Sequence, residues 1–227
     1  MWSIRGDNIP DLVDRMPKLD HLSVIAPSLK EGVEHVRVCL GIDIPFGRKH
    51  ANMSTHNHLL RLGDTVYLEV IAIDEDAPPI VGPRWFDLDN RAAVRKAWNE
   101  GRRLRSWVAS TDHFDRHMAE HTSVYGEKRE FQGSASSYFF SIPNGGLLPL
   151  NGVAPALIDR QGKSPSFSSE AEQGCKLLDF ALEHPDAEKV RALYRTLNIA
   201  GAPTVIQGAV FRYTAKIQTP GGIKVLC

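Results

Sequence analysis

Leu19-Asp-His-Leu-Ser-Val-Ile-Ala-Pro-Ser-Leu-Lys-Glu-Gly-Val33 runs from an apolar, β-branched stretch through a proline into a helical pattern. Ser28, with Glu31 three residues later, forms a capping box that starts a helix. Val33, Val36 and Leu40 then share one face, and Gly41 stops it. The same grammar recurs twice. Leu104-Arg-Ser-Trp-Val-Ala-Ser-Thr-Asp-His-Phe-Asp115 places Thr111 or Asp112 before a helix with Phe114 and Met118 on one face. Lys176-Leu-Leu-Asp-Phe-Ala-Leu-Glu-His-Pro-Asp-Ala-Glu-Lys-Val190 places Asp186 before Val190, Leu193 and Leu197. Three such units in one chain are an internal-repeat signal.

Strand-like runs follow each helix. His56–Ile73 reads as a hairpin with Gly63-Asp64 at its tip. The second unit offers Ser137–Ile142 and Pro155–Asp159, and the third offers Ala209–Gln218 and Ile223–Leu226. The organisation expected is an arm over 1–16, a first strand–helix–strands module over 17–75, and a linker with a helix over 76–102. A second module follows over 103–161, and a third unit over 174–227 extends the sheet or covers an open edge. The polar stretch Gln161–Ser169 joins the last two.

The 227 residues carry 27 basic and 27 acidic side chains, which excludes a wholesale basic footprint for nucleic acid. A chain of this length buries roughly 70% of its unfolded surface and needs no disulfide staples. Cys39, Cys175 and Cys227 form an odd, widely spaced set, so neither a disulfide framework nor a CxxC site is expected. Met1-Trp-Ser-Ile-Arg-Gly-Asp7 has charges where a signal peptide needs an apolar run, and no stretch approaches the ~20 apolar residues that span a bilayer. The expectation is a reduced, cytoplasmic protein with no membrane or nucleic-acid partner; a homodimer stays open.

Alternation along strands selects the candidate site. His21, Ser23 and Ile25 oppose Leu22 and Val24, and Tyr67, Glu69 and Ile71 oppose Val66, Leu68 and Val70. A Glu between Leu68 and Val70 in a run of β-formers marks a wet or functional face. A two-residue turn at Gly63-Asp64 pairs Leu62 with Thr65, which sets His58 opposite Glu69 and His56 opposite Ile71. His56, His58, Tyr67 and Glu69 would then converge within ~5.5 Å of their cross-strand partners. Two imidazoles and a carboxylate suit either a metal with open positions or a general-base pair, and equally a solvated face with a His–Glu hydrogen bond. Glu69 and His58 are the candidate catalytic pair. His113, His117 and His121 lie at helical spacing, but with Asp112, Asp115, Arg116 and Glu120 they read as a solvated face. Arg84-Trp85-Phe86 could supply an anion clamp and an aromatic wall, or else anchor the linker helix. Arg105, taken to share the site's face with Trp107, could bind a carboxylate.

Taken in order, Leu19–Leu22, Thr55–Asp64, Tyr67–Asp74, Pro83–Phe86, Ser106–Val108, Pro155–Asp159 and His184–Asp186 resemble the vicinal-oxygen-chelate superfamily of glyoxalase I, extradiol dioxygenases and bleomycin-resistance proteins. They resemble bacterial glyoxalase-like domain proteins most. The resemblance implies an α+β fold of repeated βαβββ modules whose mixed sheet curls into a cup. It implies, in members that use a metal, a divalent ion (Mn, Ni, Fe or Zn) held here by His21, Glu69 and Asp159. Arg105 stands where a fourth ligand belongs, and Arg160 stands where a Trp is usual. Substrate contacts fall to His56, Tyr67, Arg84, Trp85 and Arg105. The function implied is binding of a small polar organic molecule in the cup, with metal-dependent lyase, isomerase or oxygenase-type chemistry. The alternative is a metal-free binding or sequestering protein of the drug-resistance type. Arg105 discriminates between them: a guanidinium beside Glu69 or Asp159 would neutralise the cup without a metal.

Overall fold

The computed structural model describes residues 16–132, 137–164 and 172–227. Most of the expected N-terminal arm (1–15) and the end of the polar linker (165–169) lie outside the described residues. Strand β1 (Lys18–Ile25) leads into helix α1 (Leu29–Leu40), then β2 (Phe46–His50), β3 (Thr55–Arg61) and β4 (Tyr67–Ile73). After α2 (Arg91–Asn99) the pattern repeats as β5 (Leu104–Ser110), α3 (Phe114–Glu120), α4 (Thr122–Tyr125), β6 (Glu127–Gln132), β7 (Ser137–Ile142) and β8 (Ala156–Asp159). The third unit is β9 (Lys176–His184), α5 (Ala187–Leu197), β10 (Thr204–Gln207), β11 (Arg212–Thr219) and β12 (Gly222–Leu226).

The helix boundaries follow the local chemistry. Ser28 Oγ accepts from the Glu31 N–H, and Gly41 takes φ 71° at the other end of α1. Asn90 Oδ1 accepts from the Ala93 N–H and starts α2. Where α1 crosses β4, a Cβ on Gly32 would collide with the Val70 side chain and stand 2.8 Å from Ala26 Cβ. Only glycine lets the helix lie that close to the sheet.

Strands β1–β8 form one mixed sheet in the order β2-β3-β4-β1-β5-β8-β7-β6. Antiparallel β1 and β5 sit at its centre, flanked by their parallel partners β4 and β8. The sheet curls into a half-barrel of α+β type. Every residue of β4 is buried, as befits a parallel strand covered on both faces. Its convex face, with Leu22, Val24, Leu68, Val70 and Trp107, packs against α1 and the third unit. Its concave face, with Ile25, Ile71, Val108, Phe140 and Ile158, holds a second core closed by Trp85, Phe86 and Leu88 from the linker and Val94 from α2. Among the described residues, no helix is long and apolar enough to cross a membrane.

The third unit departs from expectation. Its sheet runs β10-β9-β11-β12, with β10 beside β9, so its pairing order is not that of the two modules. It neither extends the large sheet nor covers an edge; it stacks on the convex face over β5. Trp107 is the anchor, meeting the rings of Phe180 at 6.0 Å and Tyr194 at 5.8 Å. Its Nε1 donates to the Tyr213 hydroxyl at 3.0 Å, which in turn donates to the Gly152 carbonyl at 2.7 Å. Trp107 therefore faces away from the cup, contrary to the sequence reading.

Candidate active site

The concave face carries a buried charged cluster at the ends of β1, β4 and β8. His21 projects from β1 and Glu69 from β4, with Nε2 and Oε2 3.6 Å apart. Asp20 breaks the strand alternation. Between Leu19 and His21 the pairing with β5 slips, leaving Asp20 as the extra residue of a bulge. Its Oδ1 accepts from His21 Nδ1 at 2.6 Å. Arg160, just beyond β8, closes on the same carboxylate with both oxygens, at 2.9 Å from Nε and 2.6 Å from Nη2. Arg160 Nη2 also donates to the Tyr67 hydroxyl at 2.9 Å, and the Tyr67 ring stacks on His21 at 4.5 Å.

A second set of bonds fixes Glu69. Asn57 Nδ2 donates to Glu69 Oε1 at 2.6 Å, and Asn57 Oδ1 accepts from the Arg48 N–H at 2.9 Å. His50 lies behind Asn57, 3.0 Å from Thr55 Oγ1 and edge-on to Trp85 at 5.1 Å. A cavity of about 30 Å³ opens on these groups, walled by Trp85, Phe86, Tyr138, Phe140 and Ile158 and bordered by Arg48 and Arg160. Part of that wall is strained: Phe86 and Asp87 take φ of 60° and 56°, a conformation costly for side chains of this kind. The Asp87 N–H donates to the Gly146 carbonyl at 2.8 Å, and Gly146 lies so close to the Arg84 carbonyl that any Cβ there would clash.

Burial and pairing set the charge states. Burial alone would raise Asp20, but Arg160 and His21 outweigh it and hold the carboxyl at about 2. Glu69 is likewise raised by burial, yet His21, His50 and Asn57 bring it to about 2. Burial lowers His21, but its bonds to Asp20 and Glu69 win, so it keeps its proton to higher pH than an ordinary histidine. Burial takes His50 down to about 4, against the pull of the Glu69 charge. The resulting arrangement is an imidazolium oriented by one carboxylate and facing another.

The structure redistributes the residues expected here. His21, Glu69, Tyr67 and Trp85 come together. His56 and His58 do not: Glu69 pairs with Leu59 and His58 with Val70. The Leu62 N–H bonds to the Val66 carbonyl, so the loop holds three residues, Gly63-Asp64-Thr65, and the parity of β3 flips. His58 instead bonds the Ile44 carbonyl at 2.7 Å, and His56 lies 3.9 Å from Asp74. Arg84 is tied to Asp89 at 2.5 Å rather than to the cup. Asp159 sits on the face opposite Ile158, where its Oδ1 accepts from the Gln161 N–H. Arg105 is the extra residue of a second bulge, between Ser23 and Val24. The opposite charge acting on it is Asp87, not Glu69 or Asp159. The cup's cation beside a carboxylate is Arg160.

Comparison with known families decides the lineage. A family model described as Glyoxalase-like domain matches residues 19–198. The chain belongs to the glyoxalase-like domain family. With it comes membership of the vicinal-oxygen-chelate superfamily. A hypothetical protein from Staphylococcus aureus shares the fold at a TM-score of 0.58 and 11% identity, over 87% of this chain and 88% of that one. Methylmalonyl-CoA epimerase from Streptomyces coelicolor aligns at a TM-score of 0.42 and 17% identity, over 66% of this chain and 99% of that one. The Mycobacterium tuberculosis methylmalonyl-CoA epimerase aligns at 0.41 and 16%, over 66% and 91%. No curated protein matches the chain.

In this glyoxalase-like domain the donor set does not fit the metal that the superfamily implies. His21 and Glu69 offer two donors, Asp159 faces away, and Asp20 is engaged by Arg160. Among the described residues no three His, Cys, Asp or Glu side chains gather to hold an ion.

The lowered carboxyls predict an acid limit to stability. Both Asp20 and Glu69 sit below their ordinary values of 3.8 and 4.5. Their contribution is complete above about pH 5 and is lost as pH falls toward about 2. His21 acts in the opposite sense: its contribution is complete below 6.5 and fades as pH rises through its raised value. Urea unfolding should show a loss on the order of 2 kcal/mol between about pH 5 and pH 3, and Glu69→Gln should flatten that slope. An unchanged slope in the variant would show that Glu69 is not held as described.

Proposed function

We propose that the cup binds a small carbonyl compound and moves a proton at the carbon beside that carbonyl, with His21 as acid and Glu69 as base. The observation that carries the reading is the Asp20–His21–Glu69 line buried beneath an aromatic wall. Asp20 orients the imidazole so that Nε2 faces Glu69 and the cavity. The held proton on His21 suits donation to a carbonyl oxygen as negative charge develops there.

Glu69 at about 2 is a weak base while His21 is charged. Its two strongest lowering influences are the hydrogen bond and the charge of His21. As His21 yields its Nε2 proton to the substrate oxygen, both fade and Glu69 becomes basic. The C–H proton then passes to Glu69, its electron pair forms the C=C bond, and the carbonyl oxygen takes the His21 proton. An enol, a neutral imidazole and a neutral carboxyl result, and the reverse step restores the enzyme. The chemical class is isomerase-type proton transfer.

The test is solvent exchange. Hydroxyacetone or pyruvate incubated with the protein in deuterated water should lose α-proton NMR signal faster than in buffer. Glu69→Gln and His21→Gln should each lower that rate at least ~100-fold. Exchange no faster than in buffer with both compounds would overturn the catalytic reading. Binding without exchange would leave the protein as a sequestering cup.

A further inference from the structure

The proton-transfer reading leaves a neutral Glu69 carboxyl in a buried site, and its O–H then needs an acceptor. The partners already described do not supply one. Asn57 turns its Nδ2 donor toward Glu69, held that way by the Arg48 N–H on its Oδ1. In that state His21 Nε2 is taken by the enol hydroxyl it has just formed. Another neighbour stands in register. Ser23 of β1 pairs with Glu69 of β4 on one side and with Ser106 of β5 on the other.

All three side chains share the concave face. Alternation sets Ser23 two residues before Ile25, Glu69 two before Ile71 and Ser106 two before Val108, and those three apolar residues belong to the concave core. Adjacent strands lie ~4.8 Å apart, which brings the Ser23 hydroxyl within a side chain's reach of the Glu69 carboxyl. Both serines are 0% exposed, and neither Oγ has a hydrogen-bond partner among the described residues. A buried hydroxyl left unpaired costs free energy. While Glu69 is charged, its Oε1 takes Asn57 and its Oε2 faces His21, so Ser23 makes no bond there.

We propose that Ser23 is a positioning residue for Glu69: its hydroxyl accepts the O–H of the neutral carboxyl and turns its own hydrogen to Ser106 Oγ. The inference rests on the proton-transfer reading for its purpose, though not for its measurement. A hydrogen bond made only to the neutral form favours that form. The serine therefore helps Glu69 keep the captured proton as the His21 charge fades, at the step where the base is used. No proton passes beyond Glu69, and both serines stay neutral throughout.

Infrared difference spectra test the bond without turnover. His21→Phe keeps a ring against Tyr67 and deletes the bond and the charge that hold the Glu69 carboxyl ionised. The C=O band of the neutral carboxyl, assigned by its loss on adding Glu69→Gln, then reports what its O–H meets. Adding Ser23→Ala should move that band to higher frequency, because the acceptor is gone. Ser106→Ala should move it the same way by less, and Ser23→Thr, which keeps a hydroxyl, should leave it in place. If His21→Phe fails to fold, His21→Gln replaces it. In the otherwise wild-type protein, Ser23→Ala should slow deuterium exchange ~10-fold. Its thermal midpoint should be no lower, since an unpaired hydroxyl has been removed. A band unmoved by Ser23→Ala would overturn the inference. So would a lowered midpoint, which would show that the hydroxyl already has a partner in the resting protein. A shifted band in a protein that shows no exchange would uphold the bond to Ser23 while removing the catalytic reading.

Discussion

Arg160→Met is expected to destabilise the protein by about 3–5 kcal/mol, because it strands a buried carboxylate. Asp20 is 2% exposed, and the Arg160 side chain 11%. Two bonds from the guanidinium satisfy both Asp20 oxygens, and a third reaches the Tyr67 hydroxyl. Without them, burial would push the Asp20 carboxyl up, and its hold on the His21 ring would weaken with its charge. Arg160→Lys should recover little, since an ammonium cannot reproduce the planar two-pronged contact. The decisive arm is the double variant. Asp20→Asn in the Arg160→Met background removes the stranded charge and should regain a large part of the loss in urea unfolding. A single-variant loss below about 1 kcal/mol would show the pair to be solvated and of ordinary surface strength.

Much of this cluster was legible before the structure, and what was missed has specific causes. Alternation around Glu69 identified a polar residue in a strand buried throughout, and His21 came from the same reasoning. Asp20 escaped because alternation places it opposite His21, whereas the bulge at Asp20 lets it meet the His21 ring. Arg105 was misjudged through the companion bulge, and because Trp107 belongs to the convex face. The hairpin error is of the same kind. One extra loop residue, Thr65, exchanged His56 and His58 for Asn57 as the neighbour of Glu69. Period-2 reasoning is blind to a single inserted residue, and a single insertion inverts every face beyond it. The edge strands β2, β6 and β10 were missed for another reason: Phe46-Gly-Arg-Lys-His50, Glu127-Lys-Arg-Glu-Phe-Gln132 and Thr204-Val-Ile-Gln207 lack the apolar alternation of half-buried strands. The first module was readable because capping box, helix face and stop residue agreed there, whereas the caps expected from Thr111 or Asp112 and from Asp186 make no side-chain bond to their helices.

Trp107→Ala is the second large effect, with an expected loss of about 3–5 kcal/mol. The side chain is fully buried between the sheets, so truncation leaves a void that neither can collapse to fill. It also removes ring contacts to Phe180 and Tyr194 and the bond to Tyr213. Trp107→Phe should cost less, because a ring remains and the Tyr213 hydroxyl still donates to the Gly152 carbonyl. Hydrogen exchange gives the location of the effect. In Trp107→Ala, amides of β9 and β11 should lose more protection than those of β3 and β4, since the second sheet has lost its anchor. Ligand affinity measured on the folded variant should stay within about twofold of wild type, because Trp107 and the cavity lie on opposite faces of β5. The cup-facing placement read from alternation requires the reverse: a modest stability change with a large loss of binding. The two placements therefore predict opposite pairs of results, and one variant measured both ways separates them.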